Sequence, residues 1–361
     1  MGRPFSRAHD PLRSYAAGMP DYTRMLDAAR EAVAEACVVC RDVQGALDQV
    51  RSITKDDKSP VTVADFASQA IVARALRERL GDVKLVAEEA SAFLREDEHR
   101  SHLDATLAAV QGRWPDCTAE ELLDAVDLGG GDTHHHGYWT LDPIDGTKGF
   151  LRNQQYAVAL AYVEAGWPSV GVLGCPNLPR DMSEPLDEPD PSGTLYFTIR
   201  GDGVYESLAL AGEDAGEAIR ITRLDHEPGE EISVTASVEK AHSNVSATDR
   251  ILDHLRTEHG EVVGEPVRID SQCKYAVVAR GQADAYLRMP TKPGYVERIW
   301  DHAAGALIAT ECGAAVTDIH GHALDFAHGR GLEKNKGVVC APPRLHGLIL
   351  GAIESLGIAP A

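Results

Sequence analysis

Trp139-Thr140-Leu141-Asp142-Pro143-Ile144-Asp145-Gly146-Thr147-Lys148-Gly149-Phe150 is the stretch on which the reading of this chain turns. Trp139–Leu141 reads as a short hydrophobic strand that runs into two carboxylates flanking a proline. Proline fixes its own φ and withdraws an N–H, so a sharp turn is expected after Asp142. Such a turn aims the Asp142 and Asp145 carboxylates and the Ile144 carbonyl at one point, an all-oxygen set of the kind that hard cations take. Gly146 lets the backbone approach a phosphate closely, and amides at the start of a following helix can bind phosphate oxygens.

Two other acidic positions share this character. Glu88-Glu89 follows the apolar Val83–Ala87, and Asp301 follows Ile299-Trp300 and opens the small-residue run His302–Ala306. Taken singly, each has an ordinary explanation. Asp301 reads as a helix N-cap, and Glu88-Glu89 as a solvated turn. Taken together with Asp142 and Asp145, they read as a metal site. Asp65, in Ser59-Pro60-Val61-Thr62-Val63-Ala64-Asp65, reads on its own either as a helix cap or as a functional carboxylate.

The 361 residues suggest two intimately packed domains, and 43% hydrophobic content is enough for a full core. No apolar run reaches the ~18 residues of a membrane span. The net charge of −21, without a basic cluster, excludes nucleic acid as a partner. An acidic chain that handles an anionic substrate needs cations at its site, which again points to bound metal. The seven cysteines are odd in number and scattered, and Cys37-x-x-Cys40 lies on a helical pattern without a second pair. That argues against zinc and for reduced thiols in an intracellular compartment, cytoplasm or organelle, with a regulatory disulfide as an open alternative. His134–His136 sit side by side on a Gly-rich loop and read as surface residues. Met1–Ser6 fits the loose myristoylation pattern, and Arg3, Arg7 and Arg13 with Ser6 and Ser14 weakly resemble a transit segment.

A flexible tail over 1–20 is expected, then a helix capped by Asp21 and running to about Gln49. A second helix is expected over Ala64–Leu80, stopping at Gly81. Tyr156–Glu164 and Ser169–Cys175 read as a hairpin around Ala165-Gly166. The Pro- and Asp-rich Ser183–Ser192 reads as a surface loop. A polar Pro-Gly segment around Leu224–Glu231 marks a boundary between an α+β domain, 21–228, and a domain of alternating strands and helices, 229–361. Lys274 and Arg288 are cations able to hold an uncleaved phosphate. His242 reads equally as a base stacker or a core histidine.

These segments resemble the inositol monophosphatase superfamily. Glu88-Glu89, Asp142–Thr147 and Trp300-Asp301 stand in that superfamily's order. Within it, the resemblance is to the 3′(2′),5′-bisphosphate nucleotidases. It is carried by Ser59–Thr62, Asp142–Leu151, Gly174–Leu178, Val238–Ser243, Asp270–Tyr275, Tyr286–Pro290 and Ile299–His302, and departs at Cys273, Met289 and the Ser183–Asp190 loop. The resemblance implies an αβαβα sandwich, an α+β domain followed by an α/β domain, with the site between them. It implies two or three Mg2+ ions held by Glu88, Asp142, Asp145, Asp301 and the Ile144 carbonyl, and a water activated by Asp65 and Thr147. For the substrate it implies contacts from Thr147, His242, Ser271, Lys274, Arg288 and Asp301. The expected activity is release of the 3′-phosphate of adenosine 3′,5′-bisphosphate by a lithium-sensitive monomer, extending to the sulfated nucleotide and inositol bisphosphates. The alternatives are an inositol monophosphatase and a thiol-regulated nucleotide sensor.

Overall fold

The computed structural model describes residues 20–50, 59–222, 226–238, 245–290 and 294–358. Helix α1 (Tyr22–Val50) starts where expected, because Asp21 Oδ1 accepts the Arg24 N–H at 3.0 Å. Its buried stripe of Ala29, Ala32, Val33, Ala36, Cys37 and Cys40 recurs at helical spacing. Helix α2 (Ser59–Leu80) buries Ala64, Ala67, Ala70 and Ala73, which let α1 pack closely against it, and stops at Gly81, whose φ of 85° is left-handed. Asp65 therefore sits inside α2 and caps nothing.

Next come β1 (Leu85–Ala87), α3 (Arg100–Gln111), α4 (Ala119–Asp127), β2 (Gly137–Asp145), the five-residue α5 (Thr147–Leu151), β3 (Ala157–Glu164), β4 (Trp167–Cys175), β5 (Thr194–Ile199), β6 (Val204–Leu208) and β7 (Ile219–Ile221). These strands form one seven-stranded sheet in chain order, with β1 parallel to β2 and the rest antiparallel. The β3–β4 turn is Ala165-Gly166, both at positive φ (49° and 81°), the backbone twist that a two-residue hairpin requires.

The later chain contains β8 (Glu231–Ile232), β9 (Val234–Ala236), α6 (Val245–His259), β10 (Val262–Val263), β11 (Val267–Arg268), α7 (Cys273–Ala279), β12 (Ala285–Arg288), α8 (Ala303–Glu311), β13 (Ala315–Thr317), β14 (Val338–Ala341) and α9 (Pro343–Ser355). A five-stranded sheet runs β11-β9-β12-β14-β13, and β10 pairs with β8. Helices α1 and α2 cover one face of the first sheet, and α8 covers the other. Between the sheets, α7 touches β12 and α8 touches β13, while α9 packs outside on β14 beside α6. The result is the expected αβαβα layering. One core joins residues of both sheets, among them Ala159 and Tyr196 of the first and Tyr286 and Cys340 of the second.

Two local expectations are corrected. The chain does not turn sharply after Asp142: β2 continues to Asp145. Its pairing shifts from Asp142↔Ala159 to Asp145↔Ala157, a bulge with one extra residue on β2. Pro143 has no N–H for the ladder, and the bulge absorbs it. Asp301 is not a helix cap, because His302 takes the N-cap position of α8. The short strands β7, β10 and β13 escaped the sequence reading, since two or three residues carry no resolvable alternation.

Candidate active site

The bulge at the end of β2 is pinned from three sides. Parallel pairing of Ala87 with Leu141 brings the β1 end, and hence Glu88, beside Asp142. From α2, Ser68 Oγ donates to the Pro143 carbonyl at 2.9 Å. Gln69 brackets Glu89: its Nε2 donates to the Glu89 carbonyl at 2.9 Å, and its Oε1 accepts the Glu89 N–H at 3.1 Å. Gly146 follows at a φ of 91°, and a Cβ there would lie 2.8 Å from the Ser271 Cβ. Only glycine allows the two segments to come so close.

Gln272 makes the junction between the two halves. Its N–H donates to Asp145 Oδ2 at 2.6 Å and its Nε2 to the Trp300 carbonyl at 2.9 Å, while its Oε1 accepts the Gly305 N–H at 3.0 Å. One residue thus fixes the end of β2 through its backbone and the approach to α8 through its side chain.

These segments surround a cleft of about 410 Å³. Of the residues singled out in the sequence, Glu88, Asp142, Ile144, Asp145, Thr147, Ser271, Lys274, Arg288 and Asp301 line it. Asp65 does not; it lies on α2 close enough to Glu88 and Glu89 for their charges to raise its pKa. No hydrogen bond joins Asp65 to Thr147 among the described residues, although α2 and α5 touch. His242 lies outside the described residues. Sequence reasoning gave no role to Asp270, Gln272 or Tyr286, which also line the cleft. They stand inside the Asp270–Tyr275 and Tyr286–Pro290 segments, so the signal was present but not resolved to single residues.

One wall of the cleft is acidic. Asp142 is 3% exposed, and its Oδ1 has no hydrogen-bond partner. Burial raises its pKa well above the carboxylate range, and the charges of Glu88, Asp145, Asp301 and Asp65 raise it further. Burial, with Glu89 and Asp145, pushes Glu88 up to about 7. Asp301 also reaches about 7, chiefly by burial, with His302 opposing. Asp145 is raised by burial against the pull of Lys274 and Arg288, and Asp65 is raised well above its usual range by burial, then by Glu89 and Glu88. Carboxylates crowded and desolvated in this way gain from a hard cation, and their all-oxygen donors fit magnesium better than zinc. Two other sets of three ligating groups, Glu297-Asp301-His302 and Glu96-Glu98-His99, bring their atoms within 4.8 Å among the described residues. In the first, Glu297 is engaged by Arg288 at 2.7 Å. In the second, both glutamates are exposed.

Another part of the lining is basic, formed by Lys274 and Arg288. Lys274 is 6% exposed, with its ammonium 3.4 Å from the Ser271 carbonyl and 5.5 Å from the centre of the Tyr286 ring. Burial lowers its pKa, while Asp270 and Asp145 favour its charge. Asp270 pairs with Arg152 and accepts the Val238 N–H at 3.2 Å. All seven cysteines are buried, and burial pushes Cys37 up to about 12. Buried thiols of this kind are poor nucleophiles.

Among the described residues no helix is long and apolar enough to cross a membrane. A profile of the inositol monophosphatase family matches residues 21–357. The chain is 41% identical over 348 residues to a 3′(2′),5′-bisphosphate nucleotidase of Arabidopsis thaliana, covering 92% of this chain and 96% of that protein. It is 40% identical over 304 residues to one of Schizosaccharomyces pombe, covering 80% and 82%. The structure of an inositol monophosphatase from Anabaena shares the fold, with a TM-score of 0.57 at 19% identity over 95% of this chain and 98% of that one.

Proposed function

The chain belongs to the inositol monophosphatase family, and we propose that it is a magnesium-dependent 3′(2′),5′-bisphosphate nucleotidase. The reaction is hydrolysis of the 3′-phosphate of adenosine 3′,5′-bisphosphate, leaving adenosine 5′-monophosphate. The sulfated nucleotide and inositol bisphosphates, which share the two-anion pattern, are its further substrates, and nucleotide turnover beside sulfate assimilation is its setting. The observation that carries this reading is the meeting, in one cleft, of Glu88, Asp142, Asp145 and Asp301 with Lys274 and Arg288. A monophosphate substrate would give Lys274 and Arg288 no second phosphate to hold. The similarity to bisphosphate nucleotidases over most of the chain supports it.

Glu88, Asp142, Asp145, Asp301 and the Ile144 carbonyl hold the metal. When bound, two or three Mg2+ ions supply neutralisation of the phosphoryl oxygens and a more acidic water. Thr147 Oγ1 would orient the attacking water, and Asp65, held above its usual range by burial and by Glu89 and Glu88, would take its proton. Lys274 and Arg288 hold the phosphate that stays, and Ser271 and His242 are assigned to substrate binding. Water attacks phosphorus directly, the bond to the ribose 3′ oxygen breaks, and that oxygen takes a proton from solvent, giving inorganic phosphate and the 3′-hydroxyl. The division into units at 228/229 is kept as part of this proposal, with the enzyme acting as a monomer inside the cell.

The test is phosphate release in magnesium from adenosine 3′,5′-bisphosphate and from inositol 1-phosphate, side by side. Faster release from the nucleotide, abolished by EDTA, is expected. Preference for the inositol ester would keep the metal site and discard the roles given to Lys274 and Arg288.

A further inference from the structure

Arg288, the last residue of β12, is already engaged. Its Nη2 lies 2.7 Å from Glu297 Oε2. The pair is asymmetric: the Glu297 side chain is 8% exposed and that of Arg288 29%. The carboxylate therefore lies behind the guanidinium, which opens on the cleft. Glu297 is itself fixed from behind. The same oxygen lies 3.5 Å from His302 Nε2, and His302 Nδ1 lies 2.8 Å from the Tyr275 hydroxyl. His302 and Tyr275 are fully buried. The Tyr275 ring meets Tyr286 edge-on at 4.9 Å, the ring over which Lys274 sits. One connected set of side chains thus supports both cations of the basic wall. Against its burial, His302 and Arg288 hold Glu297 down to about 2, so the carboxylate stays charged.

A buried ion pair is a poor stabiliser on its own, because desolvation offsets the attraction. Its chemistry fits another use. Guanidinium is planar with five N–H donors, and anchoring one edge on a carboxylate aims the remaining donors. We propose that Glu297 is the positioning residue for Arg288 and that, through it, the cleft selects substrates carrying a second phosphate; this rests on the bisphosphate reading above.

The experiment compares wild type, Glu297→Gln, Arg288→Ala and the double variant on adenosine 3′,5′-bisphosphate and adenosine 3′-monophosphate, with inhibition by adenosine 5′-monophosphate, which carries only the retained phosphate. In Glu297→Gln, the ratio of kcat/KM for bisphosphate over monophosphate is expected to fall about tenfold through KM, and inhibition by adenosine 5′-monophosphate to weaken about tenfold. Adding Glu297→Gln to Arg288→Ala should change neither quantity further. Equal losses on both substrates, or a full additional loss in the double variant, would overturn the proposal. If the stranded arginine charge unfolds Glu297→Gln, then Glu297→Asp, which keeps the charge and shortens the reach, should show the same selective loss to a smaller degree; equal losses there overturn it too. A wild type without preference for the bisphosphate overturns both this proposal and the nucleotidase reading, whereas a clear wild-type preference that Glu297→Gln leaves intact overturns this proposal alone.

Discussion

The two walls of the cleft are built on opposite principles. The acidic wall has its like charges pressed together out of water: Asp142 has an oxygen without a partner, and Glu88 and Asp301 are both driven up to about 7. The basic wall is satisfied from within, with Arg288 on Glu297, Glu297 on His302, and Lys274 over Tyr286. The acidic wall is unstable until something positive arrives, and the basic wall is already arranged. A site that must capture metal and then position an anion has reason to be uneven in this way: stored repulsion drives the first event, and preorganisation serves the second.

Asp142→Asn should expose the contrast most strongly. It removes one of the crowded charges at nearly constant volume. Turnover should fall by about two orders of magnitude or more, while the Tm of the EDTA-treated protein rises, because an amide there neither ionises out of water nor takes up a proton on folding. Lost turnover with a lower Tm would mean that the acidic wall is held by contacts and not strained by charge. Lys274→Ala has a smaller effect of another kind. It should cost adenosine 3′,5′-bisphosphate about ten times more in kcat/KM than adenosine 3′-monophosphate. Equal losses would mean that the basic wall serves the fold and not recognition.

The pH dependence of stability is the finest probe. In the metal-free fold Glu88 and Asp301 titrate near 7, against about 4 in an unfolded chain. Between those values the folded chain holds protons that the unfolded chain has released, so their contribution to stability is lost as pH rises through 7. In EDTA, Tm should fall from pH 6 to pH 8. Magnesium should raise Tm more at pH 8, where fewer protons compete for the carboxylates. A Tm that rises with pH in EDTA would remove the charge-strain account.

Legibility in the sequence followed the same division. The Asp142–Thr147 motif was readable because its carboxylates and threonine are neighbours in the chain, and the helices α1 and α2 because their apolar spacing and stop signals are local. The bulge was not, since whether Pro143 turns the chain or is absorbed in a strand depends on the pairing with β3. Asp65 and Asp301 resembled caps because a carboxylate near a helix start looks alike whether it caps or faces a cleft. The roles of Gln272 and Glu297 were invisible, since each is defined by partners distant in the chain or by a fold-back such as that from Arg288 to Glu297.

By itself, the sequence determined the chemical inventory: carboxylates in a fixed local order, two helices with buried stripes, and a hairpin whose turn residues accept positive φ. Those properties depend on bonded neighbours and on period, which a linear string carries. Only the tertiary structure decided that Gly146 would abut Ser271, that Gln272 would bind three segments together, and that Arg288 would reach the cleft with Glu297 behind it. Burial and long-range packing create those relations, and they exist only once the two sheets have closed on a shared core.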